Sequence, residues 1–316
     1  MNRLSLARIP FLFILDFELN NPIILPIDSM SGDIYYKFRD VRNYTLSGNK
    51  SKPLVFQTFP VPYAEYKKSF DKVKSHILYG NSFLINLTFP TPVESNHSLR
   101  ELFDIAQARY KLYFKDRFIV FSPETFVQIS TGKIRTFPMK GTIDASVKDA
   151  ARKILEDLKE TAEHHTIVDL LRNDLSLVAR HVSVRRFRYI DEIRTYSKTL
   201  LQVSSEIEGT LTQPVFGSLG DIFRIMLPAG SISGAPKKKT VEIIKEAEPD
   251  ERGFYTGVFG IFDGENVDSA VMIRFIEKTE GKLTYRSGCG ITSMSDCESE
   301  YREMIDKVYV PVGRKY

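Results

Sequence analysis

Cysteine and histidine are scarce in this chain. Cys289 and Cys297 are the only two cysteines, with no spacing suited to a zinc knuckle or a disulfide framework, and the five histidines form no ligand cluster. That excludes a sequence-encoded zinc module and favours a reducing, cytoplasmic setting. Long apolar runs are missing as well. The stretch 11–15 follows Arg3 and Arg8 in the manner of a secretion signal, but Asp16 and Glu18 end it after five residues and no small-residue cleavage site follows. It reads as a buried strand, and no membrane association is expected. Neither sign of charge dominates: 44 basic and 40 acidic side chains give a net charge of +4. The short basic runs 185–186 and 237–239 read as solvated faces, so no nucleic acid is expected. Internal repeats, low-complexity tracts and clear linkers are absent too.

What is present describes an ordinary globular chain. In 316 residues, 42% are hydrophobic and 27% charged, enough for a large core. Short alternating strands are expected at 11–17, 23–27, 34–38, 54–59, 82–89, 118–121, 133–137, 182–187, 199–207, 254–261, 267–276 and 283–286, with a polar loop at 47–51. Helical spacing is expected over 63–79, 99–113, from about 146, over 218–226, and from about 296. The mixture indicates a single α+β domain.

Candidate chemistry lies at strand ends and glycine-rich turns. Lys140, between Pro138 and Gly141, closes the segment 133–137 on a backbone that the proline restricts; a turn lysine facing water is the simpler alternative. Glu124 ends its strand in the same way, after Ser122 and Pro123. On the helix from 146, Val147, Ala151, Ile154, Leu158 and Ala162 form the apolar stripe, with Glu163 at its edge. Asp169, Arg172, Asn173 and Asp174 interrupt the apolar run 167–175 and are most simply an ion pair or a helix-ending network. Residues 228–237 hold Gly230, Ser231, Ser233, Gly234 and Pro236 before a helix, suited to aiming N–H groups at an anion or to a plain flexible connection. Arg274, centred in an apolar strand, either makes a structural ion pair or holds a carboxylate. Gly288, Cys289 and Gly290 are expected to turn and to allow close approach of a ligand or another strand. Glu300 and Glu303, three apart, share a helix face; turned inward they suit Mg2+, turned outward they are a solvated face.

Taken together, Ser122-Pro123-Glu124, Pro138-Met139-Lys140-Gly141-Thr142, 167–175, 230–237, 255–260, Ile273-Arg274, 288–291 and Glu300 with Glu303 resemble the chorismate-utilising enzyme family, over residues 63 to 310. Eight motifs in one order are far more specific than any one of them. The resemblance implies two large antiparallel β-sheets with outer helices and a cleft between the sheets. It implies one chorismate-binding domain over 1–316, in which 1–62 is a shortened N-terminal strand layer and 63–310 the catalytic core. It also implies Mg2+ held by Glu163 and Glu300, with Glu303 reaching it directly or through water. Ser231, Tyr255, Arg274 and the N–H groups of Gly288, Cys289 and Gly290 would then surround the carboxylates of chorismate.

Within the family, the chain most resembles component I of aminodeoxychorismate synthase. There a lysine at the place of Lys140 attacks C2 as the C4 hydroxyl leaves, Glu124 would protonate that hydroxyl, and ammonia adds at C4 and expels the lysine. The product, 4-amino-4-deoxychorismate, is a precursor of 4-aminobenzoate and folate. Anthranilate synthases have alanine where this chain has Lys140 and histidine where it has Gln202; isochorismate synthases have a lysine where it has Leu84. The resemblance further implies a separate glutamine amidotransferase subunit as the ammonia source and leaves a homodimer open. Component I of anthranilate synthase and a non-catalytic chorismate-binding relative are the alternatives.

Overall fold

The computed structural model describes residues 1–45, 52–194 and 199–312; the loop expected at 47–51 lies outside them. The described strands form two nine-stranded antiparallel sheets. In the first, the order in space is Met139–Asp144, Thr199–Leu211, Lys133–Thr136, Thr125–Ser130, Val267–Val271, Val258–Phe262, Phe11–Leu15 and Ile23–Pro26, with Ala179–Arg194 also paired to Thr199–Leu211. In the second it is Gly234–Ala235, Leu84–Ser95, Lys282–Ile291, Phe275–Thr279, Phe118–Ser122, Tyr110–Phe114, Ile34–Phe38 and Val41–Arg42, with Phe56–Thr58 beside Leu84–Ser95.

The alternation of side chains explains the layering. Leu12 and Ile14 point between the sheets, into a core shared with Ile34, Tyr36, Leu112, Val120 and Phe259. Phe11, Phe13 and Leu15 point the other way and join Phe126, Ile129 and Ile207 beneath the helices Leu158–Ser176 and Val215–Met226. All five residues of that strand are therefore buried, each such side chain being worth about 1.5–3 kcal/mol. On the outer face of the second sheet, Ile85, Leu87 and Phe89 lie in the same core as Phe70 and Val73 of helix Tyr63–Leu78 and Ile243 and Ile244 of helix Lys237–Ala247. Helix Leu99–Ile105 covers Ile119, Phe121 and Tyr285 further along. The expected arrangement of two antiparallel sheets with outer helices is what is found. Residues 1–62 are woven into both sheets: Phe11–Leu15 pairs with Val258–Phe262, and Ile34–Phe38 with Tyr110–Phe114.

Four local expectations are corrected. The helix expected from 146 is two helices, Ala150–Glu156 and Leu158–Ser176, because Asp157 breaks out of helical geometry and its side chain accepts the Glu160 N–H at 2.9 Å. The single stripe fails with it, and Leu158 is 84% exposed. Arg274 is not centred in a strand; it sits at φ 53° between Val267–Val271 of one sheet and Phe275–Thr279 of the other, where the chain crosses over. Gly288, Cys289 and Gly290 do not turn but lie inside Lys282–Ile291, opposite Thr88, Leu87 and Asn86. The helix expected over 99–113 stops at Ile105, and Tyr110–Phe114 is a fully buried strand.

Candidate active site

A cleft of about 430 Å³ opens near the crossover at Arg274. Residues 138–142 and Gln202 line it from the first sheet, Leu84, Asn86 and residues 286–290 from the second, and Pro123 and Glu124 from the connection between Phe118–Ser122 of the second and Thr125–Ser130 of the first. Helical residues complete it: Lys159, Glu160, Glu163, Ile167 and Leu171, the short turn Gly230–Ser233, and Glu303 with Lys307.

Lys140 enters through a bulge. The register of Met139–Asp144 against Thr199–Leu211 shifts between Met139 and Thr142, and Gly141 takes φ 80° there. A bulge re-aims the side chain beside it, and a β-carbon on Gly141 would stand 3.2 Å from Glu160 Oε2. Lys140 Nζ donates to Glu163 Oε2 at 3.1 Å, and Lys159 Nζ stands 3.8 Å from Glu163 Oε1. Burial works to lower the Lys140 pKa, but Glu163, Glu303 and Glu160 outweigh it and hold the amine above the ordinary lysine value. Burial, with Glu163 next, raises Glu160. Burial opposes the charge on Glu303, yet Lys307, 2.6 Å away, brings its pKa below the ordinary value with help from Lys140 and Lys159.

Glu124 faces the same cleft. Its Oε1 accepts from Ser231 Oγ at 2.7 Å. Burial raises its pKa, against the pull of Ser231, Lys140, Arg274 and Lys307. Arg274 has a buried Nε with no partner among the described residues, and its guanidinium lies 5.0 Å from the Tyr309 ring centre. Tyr255 is 4% exposed, and burial pushes its pKa up to about 12. Beyond Arg286 the strand Lys282–Ile291 has no strand partner among the described residues on the side that carries Phe275–Thr279, so residues 287–290 present that strand edge to the cleft.

The cleft thus gathers Lys140, Glu124, Ser231, Tyr255, Arg274, Gly288, Cys289, Gly290, Glu163 and Glu303. Glu300 is not part of its lining; it is 5% exposed, and its carbonyl accepts from Cys289 Sγ at 3.1 Å. Burial raises the Cys289 thiol well above its usual value, so it acts as a packed apolar group. Glu160, Lys307, Asn86 and Lys159 are among the lining residues that went unnoticed in the sequence. The first two were legible, since Glu160 precedes Glu163 by three and Lys307 follows Glu303 by four, each on a shared helix face. Among the described residues no group of three or more His, Cys, Asp or Glu side chains is gathered to hold a metal ion. Glu160, Glu163 and Glu303 nevertheless supply hard oxygen donors to one cleft, and that donor chemistry suits Mg2+.

A family model described as chorismate binding enzyme matches residues 37–312. An uncharacterized PabA-like protein of Pasteurella multocida is 49% identical, over 99% of this chain and 97% of its own length. Aminodeoxychorismate synthase component 1 of Bacillus subtilis is 32% identical over 84% of this chain and 58% of its own length. Anthranilate synthase component 1 of Bacillus pumilus is also 32% identical, over 85% and 54%. This chain therefore spans between half and three-fifths of those two synthases. Among solved structures, the menaquinone-specific isochorismate synthase of Escherichia coli superposes with a TM-score of 0.74 at 15% identity, over 95% of this chain and 77% of its own, a likeness of fold.

Proposed function

For this chain, which belongs to the chorismate binding enzyme family, we propose that it aminates chorismate to 4-amino-4-deoxychorismate, with Lys140 as nucleophile and Glu124 as general acid. The observation that carries this reading is the placement of both side chains on one cleft, with Lys140 near enough to lower the proton affinity of Glu124. The Lys140 amine adds at C2, both ring double bonds shift, and the C4–O bond breaks as Glu124 gives its proton to the departing hydroxyl, which leaves as water. Ammonia then adds at C4, both double bonds shift back, and the lysine leaves with its electron pair. Attack requires a neutral amine, so Lys140 must first give up the proton that Glu163 stabilises.

The unpartnered Nε of Arg274, with Tyr255, suits one carboxylate of chorismate. Glu160, Glu163 and Glu303 would hold Mg2+, and Glu300 would act on that site only from behind the lining. Bound there, the ion would neutralise the ring carboxylate and draw electron density from the ring. A glutamine amidotransferase subunit is the proposed ammonia source.

The test is product analysis by chromatography and mass after incubation with chorismate, Mg2+ and ammonium. Aminated chorismate without pyruvate supports the reading. Anthranilate with stoichiometric pyruvate would replace it with the anthranilate synthase alternative.

A further inference from the structure

Asp174 stands near the end of helix Leu158–Ser176, behind the cleft wall. Its side chain is 9% exposed. Oδ1 lies 2.8 Å from Lys237 Nζ, and Oδ2 accepts the Gly230 N–H at 2.9 Å. Lys237 also donates to the Met226 carbonyl at 2.6 Å. Gly230 opens the turn Gly230–Ser233, whose next residue, Ser231, donates to Glu124 Oε1 at 2.7 Å. An unbroken path therefore runs from Lys237 and Asp174 through a single turn to Glu124.

The path has little slack. A β-carbon at position 230 would meet Leu170 Cδ2 at 1.9 Å and Asp174 Oδ2 at 2.7 Å, so the turn is seated directly on the helix. A buried ion pair is a poor source of stability, because desolvation offsets most of the attraction. It is, however, a stiff and directional anchor.

We propose that Asp174, together with Lys237, is a positioning residue for Glu124: it fixes the Gly230–Ser233 turn so that Ser231 sets the orientation and the proton affinity of the cleft carboxyl. The kinetic consequence rests on the proposed function; the positioning itself does not. Besides Ser231, the groups acting on Glu124 are Lys140, Arg274 and Lys307, none of which bonds to Asp174.

The test titrates the Glu124 carboxyl by carbon NMR on glutamate-labelled full-length chain, with the resonance identified through Glu124→Gln. Wild type, Asp174→Asn, Ser231→Ala and the double variant are compared. Loss of a hydrogen bond to the carboxylate raises its midpoint. Ser231→Ala and Asp174→Asn should each raise it, and Asp174→Asn should add nothing in the Ser231→Ala background. Lys237→Met should reproduce the shift and covers the case in which Asp174→Asn fails to fold. Turnover of chorismate by Asp174→Asn should fall by about ten- to a hundredfold with little change in KM, the cost of a small misplacement of a reacting group. A midpoint unmoved by both Asp174→Asn and Lys237→Met overturns the proposal, as does an equal shift in the presence and absence of the Ser231 hydroxyl. If the wild-type chain does not aminate chorismate, the proposed function falls, and the titration still decides this inference.

Discussion

Lys140 Nζ and Glu163 Oε2 stand 3.1 Å apart, joining a bulged strand of the first sheet to the helix Leu158–Ser176 across one edge of the cleft. The contact keeps the lysine protonated and the glutamate turned inward. It ties the proposed nucleophile to the proposed metal ligand.

Replacing Lys140 by alanine should therefore abolish the aminated product while leaving the fold intact. Both side chains of the pair keep about a third of their surface exposed, at 37% and 30%, so the stability change should stay within about 1 kcal/mol. Mass spectrometry of the product and thermal unfolding of the variant check the two halves. Undiminished amination by Lys140→Ala would remove the lysine from its role.

Glu124→Gln should slow turnover by roughly 10²- to 10⁴-fold, the usual worth of a positioned general acid. In the native enzyme, activity should rise with pH up to the Glu124 pKa, which burial sets above the ordinary glutamate range, and level off above it, because Lys140, held above the ordinary lysine value, then frees its amine as fast as Glu124 loses its proton. Stability changes with pH through Glu124 alone: the folded state holds this proton more tightly than the unfolded chain, so ionisation at higher pH costs stability. Glu124→Gln should thus unfold at a higher temperature than wild type at neutral pH, and the gain should vanish below the ordinary glutamate pKa. Melting curves across pH measure it.

Magnesium titrations should separate the two acids of the last helix. Glu303 lines the cleft and Glu300 does not, so Glu303→Gln should raise the Mg2+ concentration needed for half-maximal turnover more than Glu300→Gln does. An equal or reversed order would bring Glu300 back as the closer ligand.

Arg252 and Glu248 form a buried pair at 2.6 Å, with side chains 1% and 2% exposed. Arg252 also holds the carbonyls of Ile232 and Asn86, both of which line the cleft, and Glu248 accepts the Thr88 N–H. Arg252→Met should cost about 3–5 kcal/mol, because it strands a buried carboxylate. The double variant Arg252→Met/Glu248→Leu should recover much of that loss. Urea unfolding of the single and double variants measures both.

The sequence by itself determined the layers and most of the site's membership. Period-two alternation wrote the strands, the continuous run at 11–15 marked a strand covered on both faces, and eight ordered motifs named the residues that the cleft collects. Spacing on a helix also carried Glu160 and Lys307 beside Glu163 and Glu303, although only contact with a common cavity shows that these faces turn inward. Tertiary structure alone decided the rest. The position of Arg274 between two sheets depends on which sheet each flanking strand joins, and an apolar run of 267–276 is the same string whether it stays in one sheet or crosses to another. Gly288 to Gly290 look like a turn until Leu84–Ser95 pairs with them, since pairing is set by a partner some two hundred residues away. The exclusion of Glu300 from the lining and the path from Asp174 to Glu124 are likewise matters of packing, because a side chain's neighbours across a cleft leave no period in the chain that carries it.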